Sequence, residues 1–513
     1  MTEPGVDVLV AHSLFMALDP KQREKRRPYP PLGTLYVAAL LREAGWRVAL
    51  FDAMLARDEA DFYQVFDACR PRLVVLCEDN FNFLSKMCLE RMRQAALAMQ
   101  GHAVAAGRYV LVAGSDATDD PAGYLAAGAR AVVLGEPEWT VRDAVGVLLG
   151  GRGSLDEVPG LALAGPGAAD GAAAAPAVRR TAPRGPERSP DRFPWPARDL
   201  VDMAAYRREW EAAHGYFSTN MASTRGCPFH CNWCAKPIWG QRYAMRAPAA
   251  VAEELAELKR TLAPDHVWFA DDIFGLRPEW TVAFGQEVAR RGAQVPFQIQ
   301  SRVDLISPAA AEGLARAGCA EVWLGVESGS QRVLDAMEKG IRLEDVPLAV
   351  DRLRAHGIRV GFFLQLGYPG EEWSDIEATA ALVRSLAPDE IGVSVSYPLP
   401  GTPFHRRVAE QLGPRRHWED SRDLAMLFAG RYPTDFYRRL HGLLHRELAA
   451  TQALDMARRQ GLDIAPAEAE RAAARAEWER LAREEARARQ PEAVLLPQLA
   501  TRPPVPDLSR PAN

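Results

Sequence analysis

Residues 224–234 read TRGCPFHCNWC, and this one stretch holds three of the seven cysteines in a chain of 513 residues. Cys227, Cys231 and Cys234 are spaced C-x3-C-x2-C. Three readings fit the spacing. The first is an iron–sulfur cubane held by three thiolates, with one iron left open to a substrate or cosubstrate. The second is a zinc site completed by His230, although His230 directly precedes Cys231 and joint ligation would strain the loop. The third is a chance cluster of buried thiols.

The context of the loop separates these readings. It follows a strand candidate, FSTNMAST, and further strands are read in HVWFADD, FQIQSR, EVWLGVES, IRVGFFLQLG and IGVSVSYPLPG. Helix candidates such as PAAVAEELAELKRTL, AAAEGLARAG and WSDIEATAALVRSLA lie between them. Six strand–helix units fall short of a closed eight-unit barrel, so residues 207–414 are expected to form an open, partial (β/α)6 barrel. In such barrels chemistry sits at the C-terminal ends of the strands, where the cysteine loop is placed.

Upstream, DVLVAHS, WRVALFDA, LVVLCED, YVLVAGSD and AVVLGEPE alternate with helix-like segments that include PLGTLYVAALLREAG and KMCLERMRQAALAM. Near-continuous apolar strands indicate a parallel sheet covered on both faces. Residues 1–150 are therefore expected to be an α/β, doubly wound, Rossmann-like domain. Residues 151–206, rich in Gly, Pro and Ala, read as a linker with room for one hairpin. Residues 415–490 read as a helical region, and 491–513 as a disordered tail.

Composition narrows the class. An apolar fraction of 48%, a charged fraction of 25% and a net charge of −5 describe an ordinary globular protein with no large basic surface for nucleic acid. No run approaches the length of a membrane span, and the N-terminus lacks a signal-peptide pattern. An odd number of cysteines with three clustered is not a disulfide framework, and a reducing cytoplasm is expected.

The motif GCPFHCNWC, with Trp233 before the third cysteine, resembles the signature of the radical S-adenosylmethionine (radical SAM) superfamily. The resemblance continues through WFADDIFG, IQSRVDL, WLGVESGSQRVL, GFFLQLGYPGE and YPLPGTPF. It implies a 4Fe-4S cluster on Cys227, Cys231 and Cys234, with S-adenosyl-L-methionine chelating the open iron and yielding a 5′-deoxyadenosyl radical on reduction. An external electron donor such as flavodoxin or ferredoxin is implied with it.

Asp271 and Asp272 end the second barrel strand, where a cationic sulfonium and ammonium need anionic neighbours; helix capping is the other reading. Arg302 and Glu327 close later strands as candidates for holding a carboxylate and ribose hydroxyls, or for pairing with each other. Family analogy stacks Trp233 beneath adenine, and core packing is the alternative. Gly367 and Gly370 suggest a loop where backbone approaches a ligand.

Three ligand classes can be set against the first domain. VAHSLF has no glycine fingerprint for a dinucleotide, and VVLGEPE lacks the lysine of a phosphoacceptor domain. YPPLGTLYVAALLREAGWRVALFDA and VVLGEPE resemble the cobalamin-binding domains fused ahead of radical SAM domains. D-x-H-x-x-G is absent and His12 is the nearest candidate, so the resemblance implies cobalt without a histidine from the protein. Gly33, Gly114 and Gly135 are candidate contacts, with turn geometry as the alternative.

The resemblance is to the branch of the anaerobic magnesium-protoporphyrin ester cyclase and the phosphorus methylases. It implies a cobalamin-dependent methyltransferase acting on an unactivated carbon, or phosphorus, of a small molecule. An oxidative cyclase or hydroxylase, a methylthiotransferase and a zinc-stabilised scaffold are the alternatives. His441 and His445, four apart in RRLHGLLHREL, read as a packing helix, because no acid lies between them as in a metal-binding pair. Cys69, Cys77, Cys88 and Cys319 read as core, and KQREKRR as a solvated loop over the cobalamin mouth.

Overall fold

The structure, a computed structural model, describes residues 5–151, 153–165, 177–234 and 238–490. The expected tail at 491–513 lies outside the described residues.

The first sheet contains β1 (Val8–Ala11), β2 (Val48–Phe51), β3 (Leu73–Cys77), β4 (Tyr109–Ala113), β5 (Ala131–Val133), β6 (Leu161–Ala164) and β7 (Val178–Arg180), in the order β2-β1-β3-β4-β5-β6-β7. β1 to β5 pair in parallel. Their side chains divide by parity. Val8, Val10, Leu73, Val75, Leu111 and Val133 enter one core with the helices Leu32–Glu43 and Glu138–Gly150. Leu9, Ala11, Val74, Leu76, Val110 and Val112 enter another with Glu59–Cys69 and Glu90–Ala105. Strands whose alternate residues go to opposite covered faces have no polar side, which is why they read as continuous apolar runs.

The segment read as a linker with room for one hairpin contains the antiparallel pair β6 and β7, which extends the first sheet. A helix differs from the sequence reading. KMCLERMRQAALAM is broken rather than one helix: Phe83–Met87 ends at Cys88, which takes a left-handed φ of 57°, and Glu90–Ala105 starts afresh.

The second sheet runs β8 (Ser218–Met221), β11 (His266–Phe269), β12 (Phe297–Ser301), β13 (Cys319–Glu327), β14 (Arg359–Leu366), β15 (Glu390–Val395), all parallel. A separate antiparallel ribbon, β9 (Thr224–Gly226) with β10 (Tyr243–Met245), rises from the end of β8. Val267, Phe269, Val322, Leu324, Phe362 and Leu364 bury outward against the helical layer. By strand alternation, Trp268, Gln298, Gln300, Trp323, Phe363 and Gln365 line the concave face. The sheet is a six-stranded partial barrel, open between β8 and β15.

The helices Thr434–Gln460 and Ala465–Ala488 pack on the barrel as a pair, joined by the Trp478 indole donating to Glu447 at 2.7 Å, while Tyr432, just before the first helix, donates to Glu485 of the second at 2.6 Å. No helix among the described residues is long and apolar enough to cross a membrane.

Leu14, Met54, Met87 and Leu89 of the first domain share one core cluster with barrel residues, so the two units are fused through apolar surface. Polar contacts align them. Lys86 pairs with Asp272 beyond β11, and Tyr397 beyond β15 donates to the Met87 carbonyl at 3.3 Å. The C-terminal ends of both sheets therefore confront each other.

Candidate functional site

The cysteine loop is the tip of the β9–β10 ribbon, so a short strand stands between β8 and Cys227 where the sequence suggested direct succession. Gly226 takes φ 76°, and a Cβ there would lie 2.3 Å from the Arg242 carbonyl oxygen; only glycine lets the ribbon close beneath the cysteines. Cys227 and Cys231 pack against the apolar cluster of Phe229, Ile273, Leu276 and Leu305. Cys234 is tied to Cys231 by a backbone hydrogen bond of 3.3 Å. All three are half-buried, while His230 is exposed. Among the described residues no three His, Cys, Asp or Glu side chains already converge as a metal site. The donor set itself fits a cubane with one open corner better than zinc, because the only histidine in the motif points to solvent.

Asn232 fixes this loop, and the sequence reading passed over it. Its amide nitrogen donates to the Ala336 carbonyl at 2.8 Å and to Glu338 at 3.0 Å, and its oxygen accepts from the Tyr368 hydroxyl at 2.8 Å. Its backbone N–H donates to Met337, and its carbonyl accepts from Phe404. Every polar atom of a buried residue is thereby used to dock CNWC against the end of the helix Gln331–Ala336 and the loop after β14. The signal available in sequence was a polar residue between two cysteines in a motif otherwise apolar.

Trp233 packs beside Val333, Met337, Tyr368 and Phe404. Its indole nitrogen is buried without a partner among the described residues. Lys339 stands 6.0 Å from its ring centre. Lys339, also missed in sequence, organises the remaining candidates. Its ammonium bonds Glu327 at 2.6 Å with both groups buried, and its carbonyl accepts from Arg302 at 2.8 Å. The carboxylate of Glu327 and the nearby Cys231 raise the Lys339 pKa against the opposing effect of burial. Arg302 is not paired with Glu327. It makes two 2.9 Å bonds to Asp304 and lies 3.7 Å over the Phe229 ring. The structure thus gathers Arg302, Glu327, Trp233 and the cysteine loop around one lysine.

Asp271 and Asp272 part company. Asp271 is buried and accepts from the Ser223 and Thr224 amides at 2.8 and 2.9 Å and from the Ser223 hydroxyl. It anchors the turn from β8 into β9, and burial pushes its carboxyl up to about 6 despite those donors. Both of its side-chain oxygens accept hydrogen bonds within the chain, and it is not a helix cap. Asp272 is partly exposed and neutralised by Lys86 of the first domain.

The three glycines singled out in the first domain all stand at close approaches of the chain. A Cβ on Gly114 (φ 138°) would lie 2.8 Å from the Glu78 Cβ. On Gly33 it would lie 3.1 Å from the Asn80 nitrogen, and on Gly135 3.3 Å from the Ile238 carbonyl oxygen of the barrel. Gly367, at φ 75°, likewise yields to Met426 and Tyr437. His12 is buried, its Nε2 lying 2.9 Å from Asp52 and 3.0 Å from the Ala53 amide and its Nδ1 accepting from the Leu14 amide at 3.3 Å, so both ring nitrogens are engaged within the domain.

Ligand capacity appears elsewhere on the two confronting faces. Asn80 Oδ1 and Ser115 Oγ, past β3 and β4, are buried without partners among the described residues, as are Gln365 Oε1 in β14 and Ser396 Oγ after β15. Buried polar atoms without partners are rare in folded proteins, and these four lie at the strand ends where both folds place ligands. A cleft of about 780 Å3 opens between the same ends, lined by Asp116, Asp119, Pro398, Pro400, His405 and His417 among others.

Of the remaining residues, Cys77, Cys88 and Cys319 are buried and Cys69 half-buried. His441 and His445 pack with ring centres 4.6 Å apart. KQREKRR is not a loop: it forms most of the helix Pro20–Lys25.

The Radical SAM superfamily model matches residues 221–383. An uncharacterized methyltransferase of Pyrococcus horikoshii is 30% identical over 274 residues, covering 53% of this chain and 56% of that protein. The chain thus spans little more than half the length of that relative. A hopanoid C-3 methylase of Methylococcus capsulatus is 25% identical over 398 residues, covering 75% and 70% respectively. Among solved structures, the radical S-adenosylmethionine methyltransferase TsrM from Kitasatospora setae, with cobalamin and a [4Fe-4S] cluster bound, aligns with a TM-score of 0.65 at 20% identity, covering 79% of this chain and 78% of that one. That likeness is one of fold.

Proposed function

We propose that this chain, whose residues 221–383 match the Radical SAM superfamily model, is a cobalamin-dependent radical SAM methyltransferase acting on a small-molecule substrate. The observation that carries the reading is the confrontation of two C-terminal strand faces. One bears the cysteine loop, the other a doubly wound sheet with unpartnered polar atoms at its strand ends. The proposal is supported by the methylases among its relatives and by the fold it shares with a cobalamin-bound methyltransferase.

When bound, the cluster with S-adenosylmethionine supplies a hydrogen-abstracting adenosyl radical, and cobalamin supplies the methyl group. The chain's own part is to hold, orient and exclude water. In this proposal Cys227, Cys231 and Cys234 hold the cluster. Asn232 keeps their loop fixed, and Trp233 offers an apolar face to the adenine. Glu327 is poised for ribose hydroxyls with Lys339 tempering its charge, and Gln365 and Ser396 await polar groups of the cosubstrate or substrate. Residues 1–150 hold cobalamin against the barrel without a histidine ligand. Gly33, Gly114 and Gly135 let helix, sheet and barrel approach around it. An external single-electron donor in the cytoplasm completes the scheme.

An anaerobic assay with reductant, S-adenosylmethionine and cobalamin tests it. Formation of both 5′-deoxyadenosine and S-adenosylhomocysteine is expected. Deoxyadenosine alone would move the assignment to an oxidative cyclase or hydroxylase. Neither product after cluster reconstitution, or stoichiometric zinc in place of iron, would overturn the proposal.

A further inference from the structure

A chain of hydrogen bonds leads from the protein surface to the cysteine loop, and both of its ends carry charge. Arg407 Nη1 donates to the Tyr368 hydroxyl at 3.2 Å, and that hydroxyl donates to Asn232 Oδ1 at 2.8 Å. Asn232 Nδ2 donates onward to Glu338 Oε1 at 3.0 Å. The same carboxylate oxygen lies 3.7 Å from Arg407 Nη2, which closes the chain into a ring. Tyr368 and Asn232 are buried, whereas Arg407 and Glu338 are partly exposed.

The ring can run in one sense only. A guanidinium offers donors alone and an ionised carboxylate acceptors alone, while the hydroxyl and the amide between them do both. Arg407 fills a lone pair of Tyr368 and leaves its proton pointing inward. Burial raises the Tyr368 pKa, with Arg407 opposing, so the hydroxyl keeps that proton. Glu338 takes one amide proton of Asn232 and the Ala336 carbonyl takes the other at 2.8 Å, which leaves Oδ1 for Tyr368. Donors aligned head to tail polarise one another, and the charges at the two ends strengthen that alignment.

The backbone around the ring is arranged to hold it. Glu338 takes a left-handed φ of 53°, which a side-chain-bearing residue keeps only when its surroundings impose it. Arg407 belongs to the short helix Pro403–Val408, capped by Thr402, whose Phe404 N–H donates to the Asn232 carbonyl at 3.0 Å. One helix thus grips Asn232 twice, directly at its backbone and through Tyr368 at its side chain.

We propose that Arg407 and Glu338 are positioning residues for the cysteine loop. Acting through Asn232, they hold Cys231 and Cys234 in the arrangement that receives the cluster. Neither residue is a ligand, and each works from its own end of the ring. That the loop receives a cluster rests on the function proposed above; the hold on the loop does not.

The apoprotein gives the first measurement. Labelling of Cys231 and Cys234 by iodoacetamide, followed by peptide mass spectrometry, should be about tenfold faster in Arg407→Met, which lacks one charge-assisted hydrogen bond. Glu338→Gln, at the other end, should also speed it. Arg407→Lys, which keeps a charged donor, should fall between Arg407→Met and wild type. Cys69, a half-buried thiol of the first domain, should label at the wild-type rate throughout. In full-length reconstituted protein, the electron paramagnetic resonance signal of the reduced cluster should broaden in Arg407→Met and sharpen again in Arg407→Lys. Wild-type labelling of Cys231 and Cys234 in both Arg407→Met and Glu338→Gln would overturn the proposal, as would a wild-type signal in Arg407→Met. Faster labelling of Cys69 alongside them would overturn it too, because it marks general loosening. Failure of the wild-type chain to take up iron would instead defeat the functional reading, and the labelling comparison would still decide the positioning role.

Discussion

Lys339 Nζ stands 2.6 Å from Glu327 Oε1, in a buried ion pair at the end of the longest barrel strand. Glu327 holds a left-handed φ of 65°, a conformation that costs a side-chain-bearing residue about 1–2 kcal/mol. The strand bulges between Gly325 and Glu327, and a Cβ on Gly325 would lie 2.7 Å from the lysine nitrogen. Backbone strain, a bulge and a glycine thus all serve to set one carboxylate and one ammonium beside the cysteine loop.

Lys339→Met is expected to leave Glu327 buried and unpaired, at a cost of roughly 3–5 kcal/mol. A urea melt measures the loss. Glu327→Gln/Lys339→Met, which removes both charges, should recover much of it. A double variant no more stable than the single one would show that the pair contributes little.

Asn232→Ala removes the clamp between Cys231 and Cys234. Tyr368 keeps a second acceptor in the Ala336 carbonyl at 3.0 Å, so the stability loss should be modest, about 1–3 kcal/mol. The larger effect is expected on the loop. Iron bound after reconstitution should fall, and the electron paramagnetic resonance signal of the reduced protein should broaden, while the far-ultraviolet circular dichroism spectrum stays unchanged. Wild-type iron content with a sharp signal would remove Asn232 from any positioning role.

Substitution of Cys227, Cys231 or Cys234 by Ala should each abolish iron incorporation and deoxyadenosine formation. Folding should be little affected, because half-buried thiols carry little of the core and such changes usually cost under about 1 kcal/mol. Iron analysis beside a thermal melt checks both halves of the expectation. Retained iron in any one variant would exclude that cysteine as a ligand.

Both sheets were legible in the sequence, because strands buried on two faces and helices between them write themselves as apolar runs and periodic stretches. So was the cysteine loop, whose spacing is local. Contacts that cross the chain were not. Asp271 ends a strand as a sequence reader would wish of a ligand-facing acid, yet Ser223 and Thr224, nearly fifty positions upstream, consume its oxygens. Lys339 carries no local pattern at all; its importance comes from Glu327, Arg302 and Trp233 meeting around it. KQREKRR was misread because its charges suggest solvent, whereas Asp19 caps it as a helix and Ser421 docks it. The break at Cys88 was hidden because no Gly or Pro marks it.

Asp271 gives stability a pH dependence whose sign is fixed. Burial raises its carboxyl from 3.8 to about 6, so the folded protein holds this proton more tightly than the unfolded chain does. Its contribution is fully present below the unfolded value near 3.8 and is lost as pH rises through about 6, amounting to at most about 3 kcal/mol. Asp271→Asn, which cannot ionise, should flatten that part of the stability curve. Parallel slopes for variant and wild type between those limits would show that Asp271 does not titrate there.

The last expectation concerns how the two domains are coupled. Arg225, two residues before Cys227, reaches into the first domain and bonds Glu136 at 2.7 Å and Glu138 at 2.6 Å, all three side chains being buried. The Trp239 indole, from beyond the cysteines, also donates to Glu136 at 3.1 Å. Glu136 and Glu138 follow β5, at one of the strand ends where a doubly wound sheet places its ligand. One guanidinium therefore ties the strand that launches the cysteine loop to the rim of the other cofactor face. Two carboxylates sharing one cation leave one of them short of charge, and burial with its neighbour raises Glu138 to about 7 even so. Arg225→Met would bury two uncompensated acids and should destabilise by roughly 3–5 kcal/mol. Arg225→Met with Glu136→Gln and Glu138→Gln removes the charge problem while leaving the tie cut. If the tie positions one face against the other, this triple variant should fold and bind iron normally, and should form deoxyadenosine while losing S-adenosylhomocysteine. Equal loss of both products, or of neither, would show that Arg225 serves the fold alone.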